Sequence, residues 1–429
     1  MITFFLFPII PRYLGVDLGG GLPIINAQRI LLANVYIVWL LKKLISGKPV
    51  FQKTAINKAL FFLVFIQVLS VFNHPTIFLP SALKLLQLVT EQYLIFYLVV
   101  DIVRTKEQLQ RLVFTLVISM LVVSLIGIVE YYNGSYLFSF IKPVRQELQS
   151  AYDIVYMRLG SVRIQSSLAS GRVLGMSILI LFPFALLNSF YKIGTEKIYI
   201  WKFASVIFLI TIILTKSRIS ILGIILSLII LYPLYKNHIA KVLATVFFLL
   251  FSLVATSGTA IIQKISLFKV MITSAFNPAA FINTRYDELG VSAYSRIITQ
   301  LEALALIADK PLLGYGLSWP SSLITTGSDI NWFTGVMLES GVITAILFII
   351  IITIMIRSLL KIHRGAANLY YKYFSIAIIG SVVSFCLPLI TGLSRDAFYL
   401  LYITFAIAEV LNRLNASEIN LKNKILIDK

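Results

Sequence analysis

Long apolar runs are the feature that most constrains this chain. Residues 332–357, WFTGVMLESGVITAILFIIIITIMIR, form one of about a dozen such runs, which together make up most of the sequence. A helix crosses a bilayer with roughly 20 apolar residues, so most of these runs are long enough to be transmembrane helices. The 429 residues are 59% hydrophobic and 13% charged, which excludes the soluble globular classes. We therefore predict an all-α membrane protein.

The runs predict about twelve transmembrane helices in a single integral membrane domain over residues 1–429. The largest connection is the loop 258–331, which we expect between spans nine and ten. The single cysteine, Cys386, excludes disulfide bonds, and three scattered histidines predict no metal site and no cofactor. The candidate spans are 1–14, 27–46, 57–73, 82–102, 109–131, 172–190, 198–215, 219–236, 239–257, 332–357, 372–392 and 396–412.

The basic residues predict how the chain is oriented. If both termini are cytoplasmic, the cytoplasmic loops and tails hold 21 of the 37 lysines and arginines, all in short segments. This distribution fits the positive-inside rule and favours an N-in, C-in topology. The same rule, together with attraction to anionic lipid, explains the net charge of +19, and we expect no nucleic-acid partner.

Arginine is enriched on the side predicted to be external. Ten of the 16 external basic residues are arginine, against five of the 21 cytoplasmic ones. A guanidinium group grips phosphate through two parallel hydrogen bonds and stays charged, which predicts an external cavity for phosphate or pyrophosphate. Outer lipid headgroups and glutamate partners are the alternative. The external arginines are Arg12, Arg29, Arg145, Arg158, Arg163, Arg172, Arg218, Arg285, Arg296 and Arg395.

The short hairpin between spans seven and eight, LTKSRISILG, carries two basic residues. Lys216 and Arg218 have to lie at the membrane surface, and Arg218 begins the next helix. A positive charge at the start of a helix opposes the helix dipole, and a residue in an unfavourable position indicates a function. Snorkelling of both side chains to the lipid headgroups is the alternative.

Within the loop 258–331, the stretch SAYSRIITQLEALALIADKP predicts an amphipathic helix that lies on the bundle. Ser292 or Ser295 can cap its start, Pro311 ends it, and Arg296 falls in its first or second turn. The glycines of the next segment predict a tight turn that lets the backbone approach a ligand. This turn consists of Gly314, Tyr315 and Gly316.

Polar residues mark the start of span ten, SDINWFTGVMLESG. Asp329 and Asn331 fall at its outer boundary, and Glu339 follows roughly 12 Å deeper along a helix. A glutamate at that depth needs a partner or a wet cavity. Glu91, near the middle of span four, is a similar case, for which we favour an interhelical hydrogen bond made by the protonated acid.

At these places the chain resembles the O-antigen ligase and O-antigen polymerase family of bacterial membrane glycosyltransferases. The resemblance covers roughly residues 160–395, and it implies about twelve spans with a large periplasmic loop between spans nine and ten. Two matching segments are TKSRISIL and SRIITQLEALALIADKPLLGYGLS, and the third is the start of span ten. The residues that keep the family's pattern are Arg218, Arg296, Asn331, Glu339 and Gly341.

The resemblance implies a metal-independent glycosyltransferase in the bacterial inner membrane, with its site facing the periplasm or the exterior. Its donor would be a glycan on polyprenyl pyrophosphate, and its acceptor would be a second sugar. Arg218 and Arg296 would stabilise the leaving pyrophosphate, and Asp329 would act on the acceptor hydroxyl. The further candidates for substrate binding are Lys216, Arg285, Arg163, Arg172, Asn331, Glu339, Tyr315, Gly314 and Gly316.

One departure from the family pattern bears on the choice between activities. Ile330 stands where ligases carry a histidine, and Asp329 is beside it. This favours a polymerase of lipid-linked repeat units over a ligase, which transfers the glycan to lipid A-core or another acceptor. A polysaccharide transporter or flippase is the alternative of a different class. Transporters tend to have internal repeats, and no convincing repeat is found in the sequence.

Overall fold

The computed structural model is almost entirely helical in the part of the chain that it describes. Two short antiparallel hairpins complete this part, one pairing Gly15–Val16 with Ile25–Asn26 and one pairing Met157–Arg158 with Ser161–Val162. The described residues are 1–11, 14–16, 24–47, 49–141, 157–158, 161–168, 170–191, 198–235, 287–319, 324, 330–366, 368–390, 392 and 396–427.

The helices are numbered in chain order. A 3-10 turn, Pro75–Ile77, precedes α4, and a π-helical turn, Val89–Tyr93, joins α4 to α5. The helices are α1 (Ile2–Ile9), α2 (Ala27–Ile45), α3 (Asn57–Phe72), α4 (Phe78–Leu88), α5 (Leu94–Ile102), α6 (Lys106–Asn133), α7 (Gly171–Phe190), α8 (Ile198–Leu214), α9 (Arg218–Tyr235), α10 (Asp287–Asp309), α11 (Trp332–Ser340), α12 (Val342–Gly365), α13 (Leu369–Leu389) and α14 (Phe398–Ile427).

Five helical stretches of the described chain are long and apolar enough to cross a membrane. They are characteristic of a multi-pass membrane protein, as the apolar runs predict. The total of twelve spans stays a prediction, and the predicted span 239–257 lies outside the described residues. The five stretches are Pro75–Ile102, Lys106–Asn133, Gly171–Phe190, Val342–Gly365 and Leu369–Leu389.

Helix α1 is too short to be the first span predicted over 1–14. Its eight residues extend over only about 12 Å at the rise of an α-helix, less than half of a bilayer core. The side-chain amide of Gln28, in α2, donates to the carbonyl oxygens of Phe7 at 2.6 Å and Ile10 at 2.9 Å. This glutamine thus binds carbonyl oxygens at the C-terminal end of α1, where a helix leaves carbonyl groups without a partner of its own.

Helix α7 lies at the centre of the bundle, with 94% of its apolar window buried. It packs against α8, α9 and α13. A Cβ atom on Gly175 would lie 2.3 Å from Oγ of Ser220, and one on Gly223 would lie 2.6 Å from Leu179. Only glycine permits this approach between α7 and α9, which places the start of both helices at the same end of the bundle.

The run 332–357, predicted as one span, is two helices, and this prediction is wrong. The backbone breaks at Gly341, whose φ is 83°, between α11 and α12. The ring centroids of Trp332 and Phe348 lie 4.3 Å apart, whereas one continuous helix would separate these residues by about 24 Å. Helix α11 therefore folds back against the start of α12, and the apolar span in this region is Val342–Gly365.

The helix predicted within 258–331 is present as α10, with a different start. Because α10 begins at Asp287, Ser292 and Ser295 lie inside the helix and neither caps it. The buried face packs on α11 and on Ile330. The buried side chains of α10 include Thr299, Ala303 and Ile307, whereas Leu301 and Leu304 are exposed.

Candidate functional site

Arg163 links two loops that are far apart in sequence. Its Nε donates a hydrogen bond to the carbonyl oxygen of Thr215 at 2.9 Å, next to Lys216 in the hairpin between α8 and α9. A Cβ atom on Gly171 would lie 3.0 Å from the same Nε, so the Arg163 side chain also runs along the first residue of α7. The structure thus brings four predicted substrate-binding or catalytic residues together at one end of the bundle. We call them the cationic cluster: Arg163, Arg172, Lys216 and Arg218.

Arg172 contacts a third part of the chain. A Cβ atom on Gly392 would lie 1.9 Å from Nη1 of Arg172, so the guanidinium group lies directly against this glycine. Gly392 belongs to the connection between α13 and α14. The connection also leads to Phe398, whose ring stacks on Trp332 with centroids 5.2 Å apart. The start of α11 therefore lies at the end of the bundle that carries the cationic cluster.

Both arginines at the helix starts occupy positions that suit an anion. Arg172 is in the first turn of α7, which Ser170 caps by accepting the N–H of Val173 at 3.3 Å. Arg218 is the first residue of α9. The start of a helix carries partial positive charge, so a cation there is unfavourable unless a negative group is close. Two helix starts with added arginines provide the electrostatics of a phosphate site.

The backbone is strained on both sides of Arg163. Ser166 has a φ of 59° and Lys216 a φ of 50°, the only positive values among the described residues other than glycine. Such left-handed conformations are unfavourable for residues with a Cβ atom, and they persist where the surrounding structure holds them. Strain of this kind is concentrated at functional sites. Its presence in both turns that Arg163 connects supports the assignment of a site here.

Glu130, which is not among the residues predicted from the sequence, holds the segment that carries Arg163. This carboxylate is fully buried near the end of α6. It accepts hydrogen bonds from the backbone N–H groups of Ser166 at 2.8 Å, Gln165 at 3.2 Å and Leu137 at 3.1 Å. A glutamate close to the end of an apolar run, just before a loop with several arginines, was the available sequence signal.

Asn331 has a structural role at the start of α11. Its Oδ1 accepts the N–H of Thr334 at 2.7 Å and so caps the helix. Its Nδ2 donates to Oε1 of Gln300 at 2.6 Å, and the Thr334 hydroxyl donates to the same oxygen at 2.8 Å. Gln300 therefore fastens α10 to the first turn of α11. Arg296 precedes Gln300 by about one turn of α10.

The predicted turn at 314–316 packs against two other elements. Gly314 and Gly316 have φ values of 64° and 90°, and their Cβ atoms would lie 2.4 Å from the Leu338 carbonyl oxygen and 2.8 Å from Ile77. The N–H of Tyr315 donates to the same Leu338 oxygen at 2.6 Å. The backbone of this turn thus packs directly on α11. Approach of a ligand to the turn stays a prediction.

The Tyr315 side chain is paired with its own loop. Its hydroxyl donates to Oδ2 of Asp309 at 2.7 Å, and Nζ of Lys310 lies 4.6 Å from the ring centroid. Loss of water around the hydroxyl, and then the Asp309 carboxylate, raise the pKa of Tyr315 to about 12. Tyr315 therefore stays protonated at neutral pH and acts as a hydrogen-bond donor. A role for Tyr315 in substrate binding stays a prediction.

Glu339 is buried, but not at the depth predicted from a continuous span. It lies in the last turn of α11, next to the break that precedes α12. Its carbonyl oxygen accepts the Ser70 hydroxyl at 2.6 Å. Glu339 also lines a cavity of about 20 Å³ together with Gln67, Gln92 and Trp332. A cavity of this size holds about one water molecule and excludes a sugar ring.

Glu91 and Arg29 form an ion pair. The Arg29 Nε donates to Oε1 of Glu91 at 2.8 Å, and Gln87 donates to Oε2 at 3.2 Å. Glu91 reaches Arg29 from the π-helical turn that interrupts the span Pro75–Ile102. The predicted interhelical hydrogen bond is therefore present, but its donor is an arginine, so the expectation of a protonated glutamate is wrong.

Three predicted site residues are not placed by the structure. Arg285 and Asp329 lie outside the described residues, and of Arg296 only the helical backbone is described. The convergence of Arg218 with Arg296 therefore stays a prediction. In the described part of the chain, no group of three histidine, cysteine, aspartate or glutamate residues is arranged to hold a metal ion.

Comparisons with known proteins assign no family to this chain. No protein-family model matches the sequence, and neither a curated protein nor a solved structure matches it. The chemistry of the cationic cluster is the basis on which a function can be proposed.

Proposed function

We propose that this chain is a bacterial inner-membrane glycosyltransferase that polymerises oligosaccharide repeat units carried on polyprenyl pyrophosphate. The active site is at the end of the bundle that carries the cationic cluster, on the periplasmic or exterior face. The enzyme needs no metal ion. The observation that carries the proposal is the gathering of Arg163, Arg172, Lys216 and Arg218 around the starts of α7 and α9.

The chemistry of the donor explains why such a cluster is needed. An acceptor hydroxyl attacks the anomeric carbon, the bond from this carbon to the phosphate oxygen breaks, and the pyrophosphate leaves with the bonding electrons. Negative charge grows on the leaving group, so fixed cations stabilise the transition state more than the ground state. Arg218 and Arg296 are the proposed catalytic cations, and Asp329 takes the proton of the acceptor hydroxyl.

The remaining candidates have supporting roles in this proposal. Arg163, Arg172, Lys216 and Arg285 bind the pyrophosphate. Asn331 and Gln300 hold α10, and with it Arg296, at the start of α11. The apolar outer faces of the bundle accommodate the polyprenyl chain, which has the chemistry of a lipid tail.

Purified protein supplied with a lipid-linked repeat unit tests the proposal through the growth of glycan chains on a gel. Arg218→Lys keeps the charge but loses the bidentate contact, so turnover falls. Asp329→Asn lowers turnover by about 10²–10⁴-fold if the acid accepts the proton. Arg357→Lys, on the exposed surface of α12, is the control. Full turnover in Arg218→Lys contradicts the role given to its guanidinium group.

Ligation is the second candidate, because the family that the chain resembles contains ligases as well as polymerases. The glycan phenotype of a deletion strain separates the two activities. Single repeats that remain attached to lipid indicate a missing polymerase, whereas long polymer without its final anchor indicates a missing ligase. Ile330, in place of the ligase histidine, favours the first outcome.

Two helix interruptions favour a transporter or flippase as a candidate of another class. The π-helical turn Val89–Tyr93 and the break at Gly341 both lie in apolar segments, and broken helices are common in transporters. Movement of a labelled lipid-linked glycan across a proteoliposome membrane, without any change in glycan length, would replace the glycosyltransferase proposal with this one.

A further inference from the structure

The Ser166 hydroxyl is a buried polar group without an assigned role. Ser166 is 2% exposed, and its Oγ makes no hydrogen bond in the structure. The neighbouring serines differ in this respect. The Ser167 hydroxyl donates to the Pro8 carbonyl oxygen at 2.6 Å, and Ser170 caps α7. A buried hydroxyl that has no partner is unfavourable, and such a group in a native structure calls for an explanation.

The backbone of Ser166 is also held in an unfavourable state. Its φ of 59° is one that glycine adopts freely and serine adopts at a cost. The Ser166 N–H is fixed by the Glu130 carboxylate at 2.8 Å, and the preceding N–H of Gln165 binds the same oxygen. If the turn served the backbone alone, glycine would serve better than serine. The hydroxyl is therefore the group that the strained turn presents.

The position of Ser166 suggests what its hydroxyl binds. Ser166 follows Arg163 by three residues, and Arg163 bonds to the carbonyl oxygen of Thr215 beside Lys216. The hydroxyl thus belongs to the turn that carries Arg163, and the Arg163 side chain contacts the hairpin that carries Lys216. An oxygen of a phosphate group is the acceptor that suits both the hydroxyl and the surrounding cations.

We propose that the Ser166 hydroxyl donates a hydrogen bond to a phosphate oxygen of the ligand bound at the cationic cluster. Glu130 is the positioning residue: it holds Ser166 in the left-handed conformation through its N–H group. This inference rests on the proposed function only in taking the ligand to be a phosphate or pyrophosphate. It adds a neutral hydroxyl donor to the cationic cluster, whose other members all carry a charge.

The test measures binding of inorganic pyrophosphate, and of farnesyl pyrophosphate, to the purified full chain in detergent at constant ionic strength. Ser166→Gly removes the hydroxyl and relieves the backbone. We expect its affinity for both ligands to fall about tenfold, the effect of one hydrogen bond to a charged group, while its melting temperature without ligand stays equal or rises. Ser205→Ala is the matched control, because this buried serine of α8 bonds only within its own helix.

A second variant tests the positioning role. Glu130→Gln keeps a similar shape but has one carbonyl oxygen, and its NH₂ group faces backbone N–H groups, so we expect weaker ligand binding. Adding Ser166→Gly to Glu130→Gln should bring no further loss, because the hydroxyl is already misplaced. Glu107→Gln, in the exposed first turn of the same helix, is the control and should bind as the wild type does.

The outcomes separate this inference from the proposal it extends. If the wild type binds neither ligand, the anion site of the proposed function is wrong and the inference falls with it. If the wild type binds both and Ser166→Gly binds equally well, the cluster stands and the role of Ser166 is overturned. If the losses caused by Glu130→Gln and Ser166→Gly simply add, Glu130 does not act through Ser166.

Discussion

Arg163 and Thr215, 52 positions apart in sequence, are joined by a hydrogen bond of 2.9 Å from the guanidinium Nε to a backbone carbonyl oxygen. A carbonyl at the end of α8 has no partner within its own helix, so the arginine satisfies it. The bond uses Nε, one of the three nitrogens of the guanidinium group. Arg163 thus fixes the hairpin of Lys216 and Arg218 and contributes its charge there.

Arg163→Lys is expected to weaken pyrophosphate binding at least tenfold. The lysine has one nitrogen, which cannot bond to Thr215 and also present a planar pair of donors to phosphate. Calorimetric titration of pyrophosphate into the purified protein measures the loss. Arg357→Lys, on α12, makes the same exchange on the exposed surface. An equal effect of both substitutions would show that net charge alone matters.

Gly392→Ala is expected to displace the guanidinium group of Arg172 without unfolding the bundle. The new methyl group would lie 1.9 Å from Nη1 of Arg172, so the guanidinium group has to move. We expect weaker pyrophosphate binding with a melting temperature close to that of the wild type. Gly365→Ala is the matched control, since a Cβ atom there meets nothing within 4 Å. Unchanged binding in Gly392→Ala would remove Arg172 from the site.

The sequence predicted the helices better than their connections, for a physical reason. Apolar runs have to be buried or to face lipid in any fold. The positions of these runs in the sequence therefore indicate most of the helix bounds. The break at Gly341 was missed because the triplet Glu339, Ser340 and Gly341 is too short to divide the apolar run 332–357 by hydrophobicity alone. It depends on the positive φ of one glycine and on packing against Leu312, whose carbonyl oxygen lies 1.8 Å from the position of a Cβ atom.

The sequence predicted which residue type forms the candidate site. It predicted only in part which of those residues lie together. The excess of external arginine pointed to Arg163, Arg172 and Arg218, which the structure brings to one end of the bundle. It also pointed to Arg29, which instead pairs with Glu91 at 2.8 Å. Arginine content does not distinguish a ligand site from an ion pair, because both use the same guanidinium group. Only the fold decides which carboxylate is near.

The pair of Arg29 and Glu91 gives a prediction about stability. The Glu91 side chain is 9% exposed and that of Arg29 is 26% exposed. Removing one member of a buried ion pair leaves a charge without its partner and costs about 3–5 kcal/mol, whereas replacing both with apolar groups is close to neutral. We expect Arg29→Met to be strongly destabilising and Arg29→Met with Glu91→Leu to recover most of the loss.

Denaturant unfolding in micelles, followed by tryptophan fluorescence, measures these differences. The expected order of stability is wild type, then the double variant, then Arg29→Met. Equal stability of Arg29→Met and the wild type would mean that the pair contributes nothing. A double variant as unstable as Arg29→Met would mean that packing at the π-helical turn, and not charge, decides.

The last prediction concerns the contact that fastens α10 to α11. Oε1 of Gln300 accepts hydrogen bonds from Asn331 at 2.6 Å and from Thr334 at 2.8 Å. Gln300→Leu leaves both donors without this acceptor, so α10 should detach locally and exchange its amide hydrogens faster. Gln300→Glu keeps the acceptor and should exchange as the wild type does. Hydrogen exchange read by mass spectrometry over 298–309 measures this difference, and Leu301→Gln, at the exposed position next to Gln300, is the control.

If Gln300→Leu exchanges no faster than Leu301→Gln, the apolar contacts of Ala303 and Ile307 hold α10 by themselves. If it exchanges faster and also loses glycan-chain growth while Gln300→Glu retains it, then docking of α10 is required for the reaction, as expected for a helix that carries Arg296.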